Sequence, residues 1–269
     1  MDKTTVIGIL MGVIAIGVGM VFKGVSPVAL LNPAAMLIIF LGTAAAVTIA
    51  FPGSEIKKVP KLFKILFNEQ KITEVKDIVP MFVEWATVAR AEGLLALESH
   101  LDKIDDPFLK NGMKLVIDGQ SAEFIRDVMV EEVDAMEERH AAGALIFTQA
   151  GTYAPTLGVL GAVVGLIAAL GNMNDTEALG HAIAAAFVAT LFGIFTGYVL
   201  WHPFANKLKR KSSLEVKTKL VMIEGILSIQ DGQAPIIIKE KLAMYVPINE
   251  RLKILGEDGG GSGEEKEEG

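Results

Sequence analysis

The chain has no cysteine, which removes disulfides, thiolate metal sites and cysteine nucleophiles from consideration. Its two longest apolar stretches lack Asp, Glu, Lys and Arg altogether. They are QAGTYAPTLGVLGAVVGLIAALG from Gln149 and HAIAAAFVATLFGIFTGYVLWHPF from His181. Proteins that move ions normally keep a carboxylate at mid-depth, because so costly a residue survives only with a task. If this chain conducts an ion, a partner must bring the carboxylate. Histidine is sparse: His100, His140, His181 and His202 have no ligand-like spacing, so no metal site is expected. There is no phosphate-binding G-x-x-x-x-G-K-[ST], no H-E-x-x-H and no G-x-S-x-G. Enzyme is the weakest class, and no cofactor is expected. The net charge of −7 speaks against nucleic acid as a partner. No alternation of period two persists, so the expected class is all-α.

What is present is apolar sequence in blocks. Of 269 residues, 51% are hydrophobic, and the mean hydropathy is +0.45. The charges are segregated between the blocks, as in a membrane protein with water-facing parts. Four runs approach the roughly 20 residues that span hydrocarbon: near Thr4–Phe22, Ala29–Phe51, Phe147–Leu170 and Leu179–Phe204. The first has no A-x-A cleavage site after it and reads as a retained helix, not a signal peptide. Lys57, Lys58, Lys61 and Lys64 follow the second run; Lys207, Lys209, Arg210 and Lys211 follow the fourth. The short connections carry only Lys23 between runs one and two, and no Lys or Arg over 171–178. The positive-inside rule then puts both termini and the long middle segment in the cytoplasm. The predicted organisation is a first hairpin (1–51), a cytoplasmic helical region (52–144), a second hairpin (145–204), cytoplasmic helices (205–255) and a disordered acidic tail (256–269). The GGGSG in that tail resembles a linker.

The middle segment reads as helices. Thr73 is the expected cap of a helix through DIVPMFVEWATVARAEGLLALESHL, with Pro80 and Gly93 as weak points and Pro80 a candidate divide. Arg90 and Glu98 then fall eight residues apart on one helix, roughly 80° apart around it. Asp106-Pro107 starts another helix that Gly119 ends. Ser121 caps a third, whose acidic first half passes without a breaker into the third span. KLKRKSSLEVKTKLVMIEGILSIQDG reads as a further amphipathic helix, and Gln233 to Leu255 as one or two short ones divided at Pro235 and Pro247.

The second hairpin is dense in small residues. Gly158, Ala162, Gly165 and Ala169 form one stripe; Ala182, Ala185, Ala186, Ala189, Gly193 and Gly197 form another. Such stripes let helices approach closely in lipid. They fit either a tight hairpin within one chain or a ring of copies around a partner. Pro155 removes a backbone donor inside the third span. The hydroxyls of Thr156 and Thr190 either line a path or bond the carbonyl one turn back.

PTLGVLGAVVGLIAALG, HAIAAAFVATLFGIFTGYVLWHPFANKL, ARAEGLLALE and DGQSAEFIRDVMVEEVDAMEERH together resemble the MotA family of flagellar stator subunits, in the MotA/TolQ/ExbB proton channel group. The likeness covers nearly the whole chain except the tail. It implies a homo-oligomeric ring, a pentamer in that family, around two copies of MotB, whose Asp carries the ion. It also implies that the cytoplasmic helices push on the rotor protein FliG. On this resemblance Arg90 and Glu98, in R-x-x-G-x-x-x-x-E, match the rotor-contacting pair. Pro155 and Pro203 match the coupling prolines, and Thr190 the threonine facing the partner's Asp. Thr156 and Phe187 are expected on the same partner-facing surface. Sodium-type relatives carry Thr where Ala162 stands, so proton use is the expectation and sodium the alternative. A proton-driven energiser of envelope transport, as in the ExbB/TolQ relatives, is the runner-up; a non-conducting scaffold is a third reading.

Overall fold

The structure, a computed structural model, describes residues 2–69, 73–171 and 174–256. Among these residues there are helices and turns and no strand. The acidic tail from 257 onward lies outside the described residues. The polypeptide is a membrane protein with four helices long and apolar enough to cross a bilayer: α1 (Lys3–Phe22), α2 (Pro33–Ala50), α8 (Ala122–Gly171) and α9 (Thr176–Gln230). Between and after them run α3 (Gly53–Ile56), α4 (Val59–Phe67), α5 (Val75–Glu92), α6 (Glu98–Leu101), α7 (Pro107–Ile117), α10 (Pro235–Ala243) and α11 (Ile248–Leu255).

The chain divides into two compact units. One comprises 1–70 and 138–212, the other 71–137 and 213–269. The segments read from sequence as 52–144 and 205–255 are therefore each shared between the two. Both α8 and α9 are continuous through the division.

In the first unit, α2 starts later than expected. Ser26 caps a 3₁₀ turn over Pro27–Leu30, and the span opens at Pro33, where the Asn32 carboxamide oxygen accepts from Ala35 N at 3.1 Å. Asn-Pro is a cap followed by a first-turn proline, the arrangement that starts a helix at lowest cost. Where α4 packs beside α8 and α9, an aromatic cluster forms. Phe63, Phe147, Trp201 and Phe204 meet mostly edge to face, with Phe63 and Phe147 centroids 5.2 Å apart. Edge-to-face contact satisfies the ring quadrupoles better than a face-to-face sandwich.

The second unit has a core of large side chains. Ile78, Phe82 and Trp85 of α5 pack with Phe108 and Met113 of α7. Ile125 and Met129 of α8 and Met222 and Ile226 of α9 complete the layer. The expected starts at Asp106 and Ser121 hold: Asp106 Oδ1 accepts from Phe108 N and Leu109 N, and Ser121 Oγ from Phe124 N. Gly119 ends α7 with φ +73°. Pro235 and Pro247 sit at the starts of α10 and α11.

Two readings are corrected. Thr73 is not the cap of α5; Glu74 occupies that position. Pro80 does not divide the helix, which runs unbroken from Val75 to Glu92. It lies in the second turn with Lys76 and Pro80 both exposed, so the carbonyl it orphans can be hydrated. The real break is Gly93, at φ +90° and ψ 165°, a conformation open to glycine and strained for other residues.

Candidate functional site

The site is the α8–α9 hairpin of the first unit. The short loop ends at Asp175, whose Oδ1 accepts from Glu177 N and Ala178 N at 3.0 Å, which starts α9. From there the two helices run together with backbones in contact. A methyl at Gly158 would sit 2.9 Å from Gly193 Cα, and one at Gly193 would sit 2.8 Å from the Ala154 carbonyl oxygen. Further along, Gly161 faces Ala189 and Gly165 faces Ala186, each with 3.1 Å for an added methyl. The two small-residue stripes are thus used on each other, within one chain. On α8 the seam runs through Gly161 instead of Ala162, which stands beside it, half-buried.

Pro155 lies in the same seam. It has no N–H to give the Gly151 carbonyl, four residues back. Gly197 of α9 fills that place: a methyl there would lie 2.8 Å from Gly151 O and 2.8 Å from Pro155 Cγ. Opposite this weakened turn, α9 also departs from α-geometry, with a π-helical segment over Thr196–Trp201. Pro203 follows at once. A π turn bonds i to i+5, so a proline at its end removes a donor where the ladder is already widened. Pro155, Gly197, the π segment and Pro203 are therefore one neighbourhood of loosened backbone. Gly197 was legible as part of a stripe; the π segment had no signal in the sequence.

The hydroxyls are placed differently. Thr156 Oγ1 donates to Thr152 O and Thr190 Oγ1 to Ala186 O, each at 3.4 Å. These are the one-turn-back bonds, and they leave the oxygen lone pairs free to accept. Thr156 lies two residues before Gly158, about 160° round α8 from the seam, and is exposed. Thr190 flanks the seam on α9 and is half-buried. One chain does not bring the two together. Phe187 is 72% exposed on α9, beside the seam residue Ala186.

In the second unit, Arg90 and Glu98 are not on one helix. Arg90 is in the last turn of α5, Glu98 opens α6, and Gly93 lies between. The chain folds back there: His100 Nε2 lies 3.9 Å from Glu84 Oε1. A straight helix would put residues 84 and 100 about 24 Å apart. Arg90 and Glu98 are both exposed on this reversal, and between them Leu95 is 73% exposed, a feature the sequence reading passed over.

Residues 100–219 match the sequence profile of the MotA/TolQ/ExbB proton channel family. Motility protein A of Bacillus subtilis is 65% identical over 268 residues, which is 100% of this chain and 99% of that protein. The chain belongs to the MotA/TolQ/ExbB proton channel family. Chemotaxis protein PomA of Vibrio alginolyticus is 32% identical over 95% of this chain and 98% of its own length. The solved flagellar MotAB stator complex from Bacillus subtilis contains a chain that superposes with a TM-score of 0.90 at 67% identity. The match covers 94% of this chain and 99% of that one. The two apolar runs of this hairpin, 147–170 and 179–204, hold no carboxylate, and the seam between them carries the proline-loosened turn at Pro155.

Proposed function

We propose that this chain is a stator subunit of a flagellar motor, and that with a MotB-like single-span partner it forms a proton channel that turns ion flow into torque. The observation that carries the reading is the composition of the α8–α9 hairpin. Its spans hold no carboxylate, its small residues are consumed within the chain, and Phe187 remains presented beside Thr190. An ion path here needs an acidic residue from outside, and the partner's Asp supplies it. Thr190 and Thr156, which do not meet in one chain, face the same partner only across neighbouring copies. That favours a ring, five copies by family resemblance, around two copies of the partner.

On this reading the lysine-rich ends lie in the cytoplasm with both termini, in the cell's inner membrane. Protonation of the partner's Asp is felt by Thr190 and Phe187 and relayed through Pro155 and Pro203. Arg90 and Glu98, carried on the exposed reversal at Gly93, press on the rotor protein FliG. Ala162 has a methyl where a sodium path calls for another oxygen, which supports protons.

The test is rotation of a stator-less cell carrying this chain and its MotB-like partner. Rotation without sodium that stops with a protonophore is the expected result. Rotation only with sodium would assign selectivity to the partner. Absence of rotation with the complex in the membrane would favour the transport-energising relatives. Pro155→Ala is expected to abolish rotation while the protein still reaches the membrane, and normal swimming would refute the coupling role.

A further inference from the structure

The carboxylate of Asp2 sits at the centre of a bonded cluster that the proton path does not use. Asp2 Oδ2 pairs with Lys207 Nζ at 2.6 Å and with Lys211 Nζ at 3.6 Å. Lys207 Nζ also donates to Thr5 Oγ1 at 2.5 Å and Thr4 Oγ1 at 3.0 Å. Thr4 Oγ1 in turn donates to Asp2 Oδ1 at 2.7 Å. The cluster is completed by the end of α4, whose last carbonyls have no helical partners. Lys211 Nζ donates to Ile65 O at 2.6 Å and Asn68 O at 2.8 Å, Thr5 Oγ1 to Leu66 O, and Asp2 N to Phe67 O at 2.8 Å. Four successive carbonyls are thus taken by α1 and α9. All three charged side chains are at most 22% exposed.

We propose that Asp2 is the pin of an ionic latch that fixes the stem of α9 beyond Pro203 to the start of α1 and the end of α4. Lys207 and Lys211 follow Pro203 by one and two turns of α9, so the latch grips the helix just past its second loosened point. Beside Pro203 lies a shallow groove of about 210 Å³, lined by Thr5, Gly8, Ile9, Val199 and Phe204 among others. The helix therefore has room to move at the proline and is held immediately below it. A bend at Pro203 then works against a fixed anchor instead of swinging the stem freely. Asp2 is a positioning residue in this scheme; it touches no conducted ion.

The latch is not a pH switch. The Lys207 ammonium beside Asp2 outweighs the effect of burial and, with Thr4 and Lys211, holds the carboxyl well below the usual carboxylate range. A depressed carboxylate stabilises the fold above its unfolded pKa, about 4, and the contribution fades only as pH falls below that.

The inference rests on the motor reading for its torque readout, and a second readout is independent of it. Because the chain has no cysteine, K3C/N206C introduces a unique thiol pair at exposed positions flanking the latch. In membranes holding the full complex, a flexible bismaleimide is expected to join them efficiently with Asp2 present and several-fold less in the D2N background. Equal yields in both would overturn the latch whatever the motor does. In bead assays of the complete motor, D2N and D2K are expected to lower torque per stator roughly twofold or more, with the complex still in the membrane. The exchange D2K/K207D should recover most of it, as a coupled pair requires. Native torque in D2N, or no recovery in the exchange, would refute the positioning role. Failure of the native chain to rotate would count against the motor reading alone.

Discussion

The α8–α9 hairpin and the core of the second unit are closed by opposite means. In the hairpin, Gly158 and Gly193 bring main chain against main chain, and the large residues point outward: Ile167 is 65% exposed and Leu170 66%. In the second unit the large residues are inside, with Phe82, Phe108, Met113 and Ile226 all at most 2% exposed. Its buried helix glycines serve side chains. Gly112 makes room for the ends of Met129 and Ile226, and Gly225 for the ring of Phe82. The solvent explains the difference. In water, burying a large apolar side chain removes surface at about 25 cal/mol per Å². In lipid that gain vanishes between helices, and close packing of small residues takes its place.

The comparison can be tested by heat denaturation of the purified complex, with substitutions ranked by expected cost. Phe82→Ala should have the largest effect, about 3–5 kcal/mol, because it empties the centre of the second unit. Gly193→Ala comes next, at about 1–3 kcal/mol, since the methyl meets the Gly158 Cα at 2.7 Å and backbone must shift. Gly112→Ala should lie near zero. The atoms nearest its methyl are the flexible ends of Met129 and Ile226, which can shift, and the helix gains about 1 kcal/mol from replacing glycine. Ile167→Ala should be similarly small, below about 0.5 kcal/mol, because the side chain faces outward. If Gly193→Ala costs no more than Gly112→Ala, the backbone seam is not what closes the hairpin. If Ile167→Ala costs as much as Phe82→Ala, the outward face of α8 is an interface instead of a lipid surface.

The elements were legible where the chain carries local signals. Asp106-Pro107 and Ser121 start helices because their side chains meet backbone donors two or three residues on, and no distant contact can easily override that. The same locality made Pro80 misleading. A proline reads as a break, yet an exposed second turn tolerates it because water can satisfy the carbonyl it orphans. Gly93 gave too weak a signal for the opposite reason: a glycine tolerates a helix or ends one, and only its φ of +90° shows which. Arg90 and Glu98 were identified by motif while their geometry on a single helix was wrong. In the hairpin, Pro155, Pro203, Thr190 and Phe187 stood out as residues. That Pro155 lies against Gly197, or that Gly197 sits in a π segment running up to Pro203, was not readable, because both follow from which faces of two helices meet.

By itself the sequence determined the class, the four apolar helices, most helix starts, and the lack of a carboxylate in the two apolar runs of the second hairpin. These depend on residue type and on spacing within a few turns. The tertiary structure alone decided that the two small-residue stripes pack on each other, that Thr156 and Thr190 stay apart in one chain, and that Asp2 reaches Lys207 and Lys211 at the end of α4. Such pairings depend on helix rotation and on contacts between residues as much as 209 positions apart, and a linear pattern does not encode that choice until the helices are packed.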